Sequence, residues 1–123
     1  MDSRSQELEK RTLKLSGNVI LLCKKVAGTP INSPIVSQLI RSVTSIGANY
    51  AEANGASSRS DFKNKIYICK KESLETCYWL QVLAEANVEV KEECRVLWKE
   101  THELALIFSK IIGSLNKIIE NNK

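Results

Sequence analysis

Two prolines and five glycines in 123 residues are too few for a fold built on turns. Strict apolar–polar alternation is scarce as well, so an all-helical chain is the first expectation. One histidine, His102, stands alone. A di-metal helical bundle needs Glu-x-x-His from each of two helices, and here the residue three before His102 is Lys99. His102 is therefore read as a surface or partly buried polar side chain. The four cysteines, Cys23, Cys69, Cys77 and Cys94, form no C-x-x-C pair and carry no zinc-type spacing. In a reducing compartment they read as small core hydrophobes. No Ser-His-Asp or Cys-His constellation can be assembled around one histidine, and the glycines match neither a P-loop nor a dinucleotide fingerprint. The expectation is a protein that is not an enzyme, with no catalytic residue, cofactor, metal or small-molecule substrate. No apolar run approaches the roughly 20 residues that cross a bilayer. The opening MDSRSQELEKRTLK is polar and charged, unlike a secretory signal. The expected location is the cytoplasm.

What is present suits one globular unit over residues 1–123. Hydrophobic residues make up 43% and charged residues 26%, which separates the chain from disordered sequences. The charge is unevenly placed. Residues 1–71 carry twelve basic and five acidic side chains, net +7, while residues 72–123 carry six and nine, net −3, giving +4 together. A basic face could meet a polyanion, and opposite faces of identical subunits could attract one another. Both readings stay open.

Along the chain, apolar residues recur at alternating steps of four and three. Leu8, Thr12, Leu15, Val19, Leu22 and Val26 place a first helix at about 6–27, with the a/d seam of a bundle. Leu13, Ile20 and Cys23 widen that seam, so this helix should touch more than one neighbour. Gly28, Thr29 and Pro30 should end it. Ser33 and Pro34 then read as N-cap and first helical residue of a second helix over about 34–53, lined by Ile35, Leu39, Ser42 or Val43, Ile46 and Tyr50. Phe62, Ile66, Cys69, Ser73, Thr76 or Cys77, Leu80 and Leu83 mark a third helix at about 59–86. After a short polar link, 87–91, a fourth runs over about 92–119 on Leu97, Thr101, Leu104, Phe108, Ile111, Leu115 and Ile118, broadened by Ile107, Ile112 and Ile119. Asn121 to Lys123 should fray. Four such helices with short loops bury their seams as an all-α, up-down-up-down antiparallel four-helix bundle.

The corner between the second and third helices is the most distinctive stretch. Ser58 stands three residues before Asp61, the spacing of a capping box, and Asn54 with Gly55 tolerates a left-handed helix end. Small residues on the approach (Ser45, Gly47, Ala48, Ala51, Ala53) would let another helix come close. The segment SVTSIGANYAEANGASSRSDFKNKI, followed by KKESLETCYWLQVLAEA, resembles the four-helix-bundle proteins encoded within intervening sequences of bacterial large-subunit ribosomal RNA genes. Their superfamily includes accessory proteins of diversity-generating retroelements. The specific likeness covers Arg41 to Ala86, and the outer helices match in pattern. It implies a homo-oligomer, a pentamer in the retroelement relatives, and nucleic-acid binding.

Two sets of residues are candidates for function. Lys63, Lys65, Lys70 and Lys71 on the third helix, Arg59 at its start, and Lys24 and Lys25 on the first helix could contact RNA or DNA backbone, since phosphate attraction needs only clustered cations. Tyr67, Tyr78 and Trp79 form an aromatic band beside them, suited to packing or to base stacking. Arg41, Asn49 and Glu52 sit among apolar positions of the second helix. With Glu72 and Glu75 they make a candidate polar cluster at a helix–helix or subunit contact, where Arg41 could fork onto a carboxylate. The alternative is a scaffold that binds protein and no nucleic acid.

Overall fold

A computed structural model of the chain describes residues 3–121. Four helices carry it: α1 (Ser3–Cys23), α2 (Asn32–Asn54), α3 (Arg59–Ala86) and α4 (Lys91–Asn121), the last entered through a single 3₁₀ turn at Val88–Val90. Cross-helix contacts give the directions. Asn54 meets Glu9 while Ser16 meets Val43. Cys69 meets Ile46 while Glu72 meets Arg41. Glu100 meets Arg11 while Glu93 meets Lys25. Each neighbouring pair is antiparallel, and the fold is an up-down-up-down four-helix bundle. No helix among the described residues is long and apolar enough to cross a membrane.

The core follows the four-three seams. Leu15, Val19, Leu39, Val43, Ile46, Ile66, Leu80, Leu83, Leu104 and Phe108 are buried, and Phe108 is the largest side chain wholly removed from solvent. Small polar residues fill the close approaches between helices. Ser42 and Thr76 share a hydrogen bond of 2.9 Å across α2 and α3, and both are fully buried. A methyl group added to Gly47 would come 3.3 Å from Thr12 Oγ1, so α1 lies against α2 with no room between their backbones. The bundle is least tightly joined where α1 meets α4, and ion pairs span that seam. Arg11 forks onto Glu100 at 2.7 and 3.0 Å and reaches Glu103 at 3.4 Å, and Lys25 pairs with Glu93 at 2.9 Å.

The structure moves several expected boundaries. Helix α1 stops at Cys23 rather than 27, because Lys24 to Val26 tighten into turns. Helix α2 starts at Asn32, two residues before the expected first helical residue Pro34. The Thr29 hydroxyl accepts from the Asn32 amide at 3.0 Å, and the Ser33 amide bonds the Thr29 carbonyl. Thr29–Pro30 thus supplies the same chemistry as a cap followed by proline, and Pro34 is the third residue of the helix, within the first turn, where a missing N–H is tolerated. Gly55 does not adopt the left-handed end expected of it. Its φ is −100°, no described residue has positive φ, and its amide closes a tight bond to Glu52 O. Ser58 does cap α3, accepting from the Asp61 amide at 3.0 Å. Leu13 does not pack within the chain, and Ile20 does so only in part. Leu13 is 75% exposed, and α1 reaches its second neighbour through Arg11 and Leu22 instead. Helix α4 extends to Asn121. The side chain of Ile119 and residues 122–123 lie outside the described residues.

The expected polar link at 87–91 is in fact partly core. Val90 is buried, and Asn87 forms a reciprocal amide pair with Asn32, at 2.8 and 3.0 Å. Asn32 also donates to Ala27 O at 2.9 Å, and Asn87 to Leu83 O at 3.1 Å. Two interhelical loops are therefore fastened through one pair of side chains. Asn87→Ala should lower the unfolding free energy by about 2 kcal/mol, since it strands a buried Asn32 amide. In a denaturant double-mutant cycle, adding Asn32→Ala should cost less than the sum of the single changes.

Candidate nucleic-acid interface

Helix α3 buries one face and leaves another wholly outside. Positions 67, 71, 74 and 78 fall at the three- and four-residue steps that share a helix face, and Tyr67, Lys71, Leu74 and Tyr78 are all exposed. Lys63 and Lys70 border this stripe on one flank, with Arg59 a turn before them. The Lys63 ammonium lies 5.9 Å from the centre of the Tyr67 ring. None of Arg59, Lys63, Lys70 and Lys71 forms an ion pair among the described residues. The helix thus presents four cations along one surface, Arg59 and Lys71 exposed and Lys63 and Lys70 half-buried, interleaved with two tyrosine rings. Acidic side chains near this face are Glu75, a third exposed and paired with Arg41, and exposed Glu85 past Tyr78.

The remaining expected cations are elsewhere. Lys65 turns toward α2 and approaches Glu52 at 3.7 Å. Lys24 and Lys25 follow α1 at the end of the bundle opposite Arg59, and Lys25 is tied to Glu93. The aromatic band divides in a similar way. Tyr67 and Tyr78 face outward, whereas Trp79 is half-buried and its indole N–H donates to Glu75 at 3.3 Å.

The polar cluster assembles in part. Arg41 donates to Glu72 at 3.1 Å, pairs with Glu75 and donates through Nε to Gln38 at 3.0 Å. Glu72 is buried beneath it. Charge-assisted bonds of this kind compensate the burial of a carboxylate, so the arrangement is a clamp joining α2 to α3. Asn49 and Glu52 take no part, since Asn49 bonds its own helix at Ser45 O and Glu52 faces Lys65. His102 stacks on Trp98 with ring centres 4.8 Å apart and nearly parallel planes. The cysteines are free. Burial pushes the Cys69 thiol up to about 12 and those of Cys23, Cys77 and Cys94 up to about 11.

Fold and surface together define an antiparallel four-helix bundle whose α2 and α3 are joined by an ion-pair clamp over buried Glu72, with a cationic outer face on α3. The family model described as 23S rRNA-intervening sequence protein matches residues 4–110, and the chain belongs to that family. Its structure is similar to the crystal structure of a protein of unknown function from the S23 ribosomal protein family of Bacteroides thetaiotaomicron VPI-5482. The TM-score is 0.80 at 31% identity, over 89% of this chain and 97% of that one. Comparison with curated proteins found no match.

Proposed function

We propose that the protein works without catalysis, in the cytoplasm, as a homo-oligomer whose outer α3 surface binds the backbone of RNA. The observation that supports this is the unneutralised row Arg59, Lys63, Lys70 and Lys71 on one exposed face. Ion pairs consume the cations of Lys25 and Lys65, yet these four are left for solvent or for a ligand. Phosphate neutralisation requires no more than this, and its signature is a steep loss of affinity with salt.

Self-association is supported by a separate surface. Leu13 and Ile20 of α1 stand out from the bundle around Gly17, beside exposed Ala48 and Ala51 of α2. An uncharged strip of this kind suits helix-on-helix contact between copies. Arg41 to Ala86 resembles the intervening-sequence proteins, whose superfamily includes pentameric retroelement accessory proteins, and five is therefore the number expected.

RNA binding measured by anisotropy over a salt series tests the reading. Changing Lys63, Lys70 and Lys71 to Glu should remove binding at low salt, and single Lys→Ala changes should each reduce the salt slope by about one. Wild-type protein that binds no RNA at low salt would overturn the nucleic-acid reading. Sedimentation should give five times the chain mass, and a monomer would overturn the oligomer.

A further inference from the structure

From the same α3 face we infer that the ligand is single-stranded RNA, its bases stacking on Tyr67 and Tyr78 while Arg59, Lys63, Lys70 and Lys71 hold its phosphates. This rests on the nucleic-acid reading above and narrows it to one form of the polymer. A duplex keeps its bases stacked inside and offers phosphates outside, so a protein that grips duplex backbone needs only cations. Here the centre of the cationic face is instead given to Tyr67, 44% exposed, Leu74, 49%, and Tyr78, 57%. Exposed tyrosine rings between lysines provide flat apolar surfaces beside positive charge, which is how sequence-tolerant single-strand binders hold unpaired bases.

The spacing suits a strand laid along the helix. Tyr67 and Tyr78 are about three turns apart on one face, or about 16 Å at 1.5 Å per residue. At about 3.4 Å per nucleotide that distance holds about five stacked bases. Leu74 lies between the rings and offers apolar surface to the intervening bases. Glu85 closes the track, because its carboxylate repels phosphate beyond Tyr78. Both tyrosine side chains are exposed. A ribose 2′-hydroxyl beside a stacked base can take a phenol hydroxyl as partner, which selects RNA over DNA.

The test uses the full-length protein with oligouridine, a same-length RNA duplex and oligothymidine. Wild type should bind oligouridine most tightly. The Tyr67→Ala/Tyr78→Ala variant should lose about tenfold per ring on oligouridine, with duplex binding and salt slope unchanged. Both rings are exposed, so the variant should keep its helical circular dichroism. Tyr67→Phe/Tyr78→Phe should retain oligouridine stacking and lose the preference over oligothymidine. Equal binding of duplex and oligouridine, or an alanine variant that binds oligouridine like wild type, overturns this inference while the cationic reading stands. Oligothymidine bound as tightly as oligouridine by wild type overturns the choice of RNA. A smaller sedimenting species for the alanine variant shows the stripe to be a contact between copies and also overturns it. If neither oligouridine nor duplex binds at low salt, the cationic reading fails and this inference fails with it.

Discussion

Phe108→Ala should lower the unfolding free energy by about 3–5 kcal/mol, the largest effect expected of any single truncation in the bundle. Phe108 is fully buried on α4 and lies against Tyr50 of α2, with ring centres 6.0 Å apart and planes tilted by 46°. It therefore joins diagonal helices across the core, and no single neighbour can close the space it would leave. Leu104 and Ile112, one turn to either side on α4, are held by their own contacts in the same core. Urea unfolding followed by circular dichroism measures the effect. Phe108→Leu should recover most of the loss, because it restores much of the volume. A loss below about 1 kcal/mol for the alanine variant would mean that the α2–α4 diagonal is not the centre of the core.

The helical seams were legible because one period ran through each segment. Ile66, Cys69, Ser73, Thr76, Leu80 and Leu83 were placed on one face by spacing alone, and all are buried. The Ser58 cap was legible because its chemistry lies within three residues of sequence. What failed depended on partners distant in sequence. Asn32 and Asn87 are 55 positions apart, and each reads locally as a loop residue. Only the close approach of two loops at one end of the bundle makes them a buried pair. Ser33–Pro34 and Thr29–Pro30 are two equally good start signals, and local chemistry could not rank them. Leu13 and Ile20 carry helical periodicity like core residues, but four helices have no further face inside the chain to receive them. The candidate site was legible as a list of lysines and not as a surface. Lys65 and Lys71 are six residues apart, yet the helix turns one toward Glu52 and the other outward.

Raising the pH above the ordinary thiol range should lower the protein's stability steadily, most steeply between about pH 9 and pH 11. Cys69, Cys77 and Cys94 are buried, and burial holds Cys69 up to about 12 and the other two up to about 11. An unfolded thiol ionises near 8.5. Between those values the unfolded chain has released protons that the folded chain still holds. The unfolded state then binds fewer protons, and linkage makes stability fall as pH rises. The stabilisation is complete below the unfolded value and is lost through the window up to the folded values. Each buried thiol contributes a slope of about 1.4 kcal/mol per pH unit, so three together remove about 10 kcal/mol by pH 11, comparable with a typical stability of about 5–15 kcal/mol. Cys69→Ala should flatten the profile most at high pH, since its window is the widest, although at neutral pH it costs the stability of a small lost core contact. A thiol reagent followed by absorbance gives an independent check. The buried thiols should react at the rate of unfolding at pH 7 and much faster as stability falls. A denaturation midpoint unchanged between pH 8 and pH 10.5 would show that the thiols ionise in place, and the packing around α3 and α4 would then have to admit water.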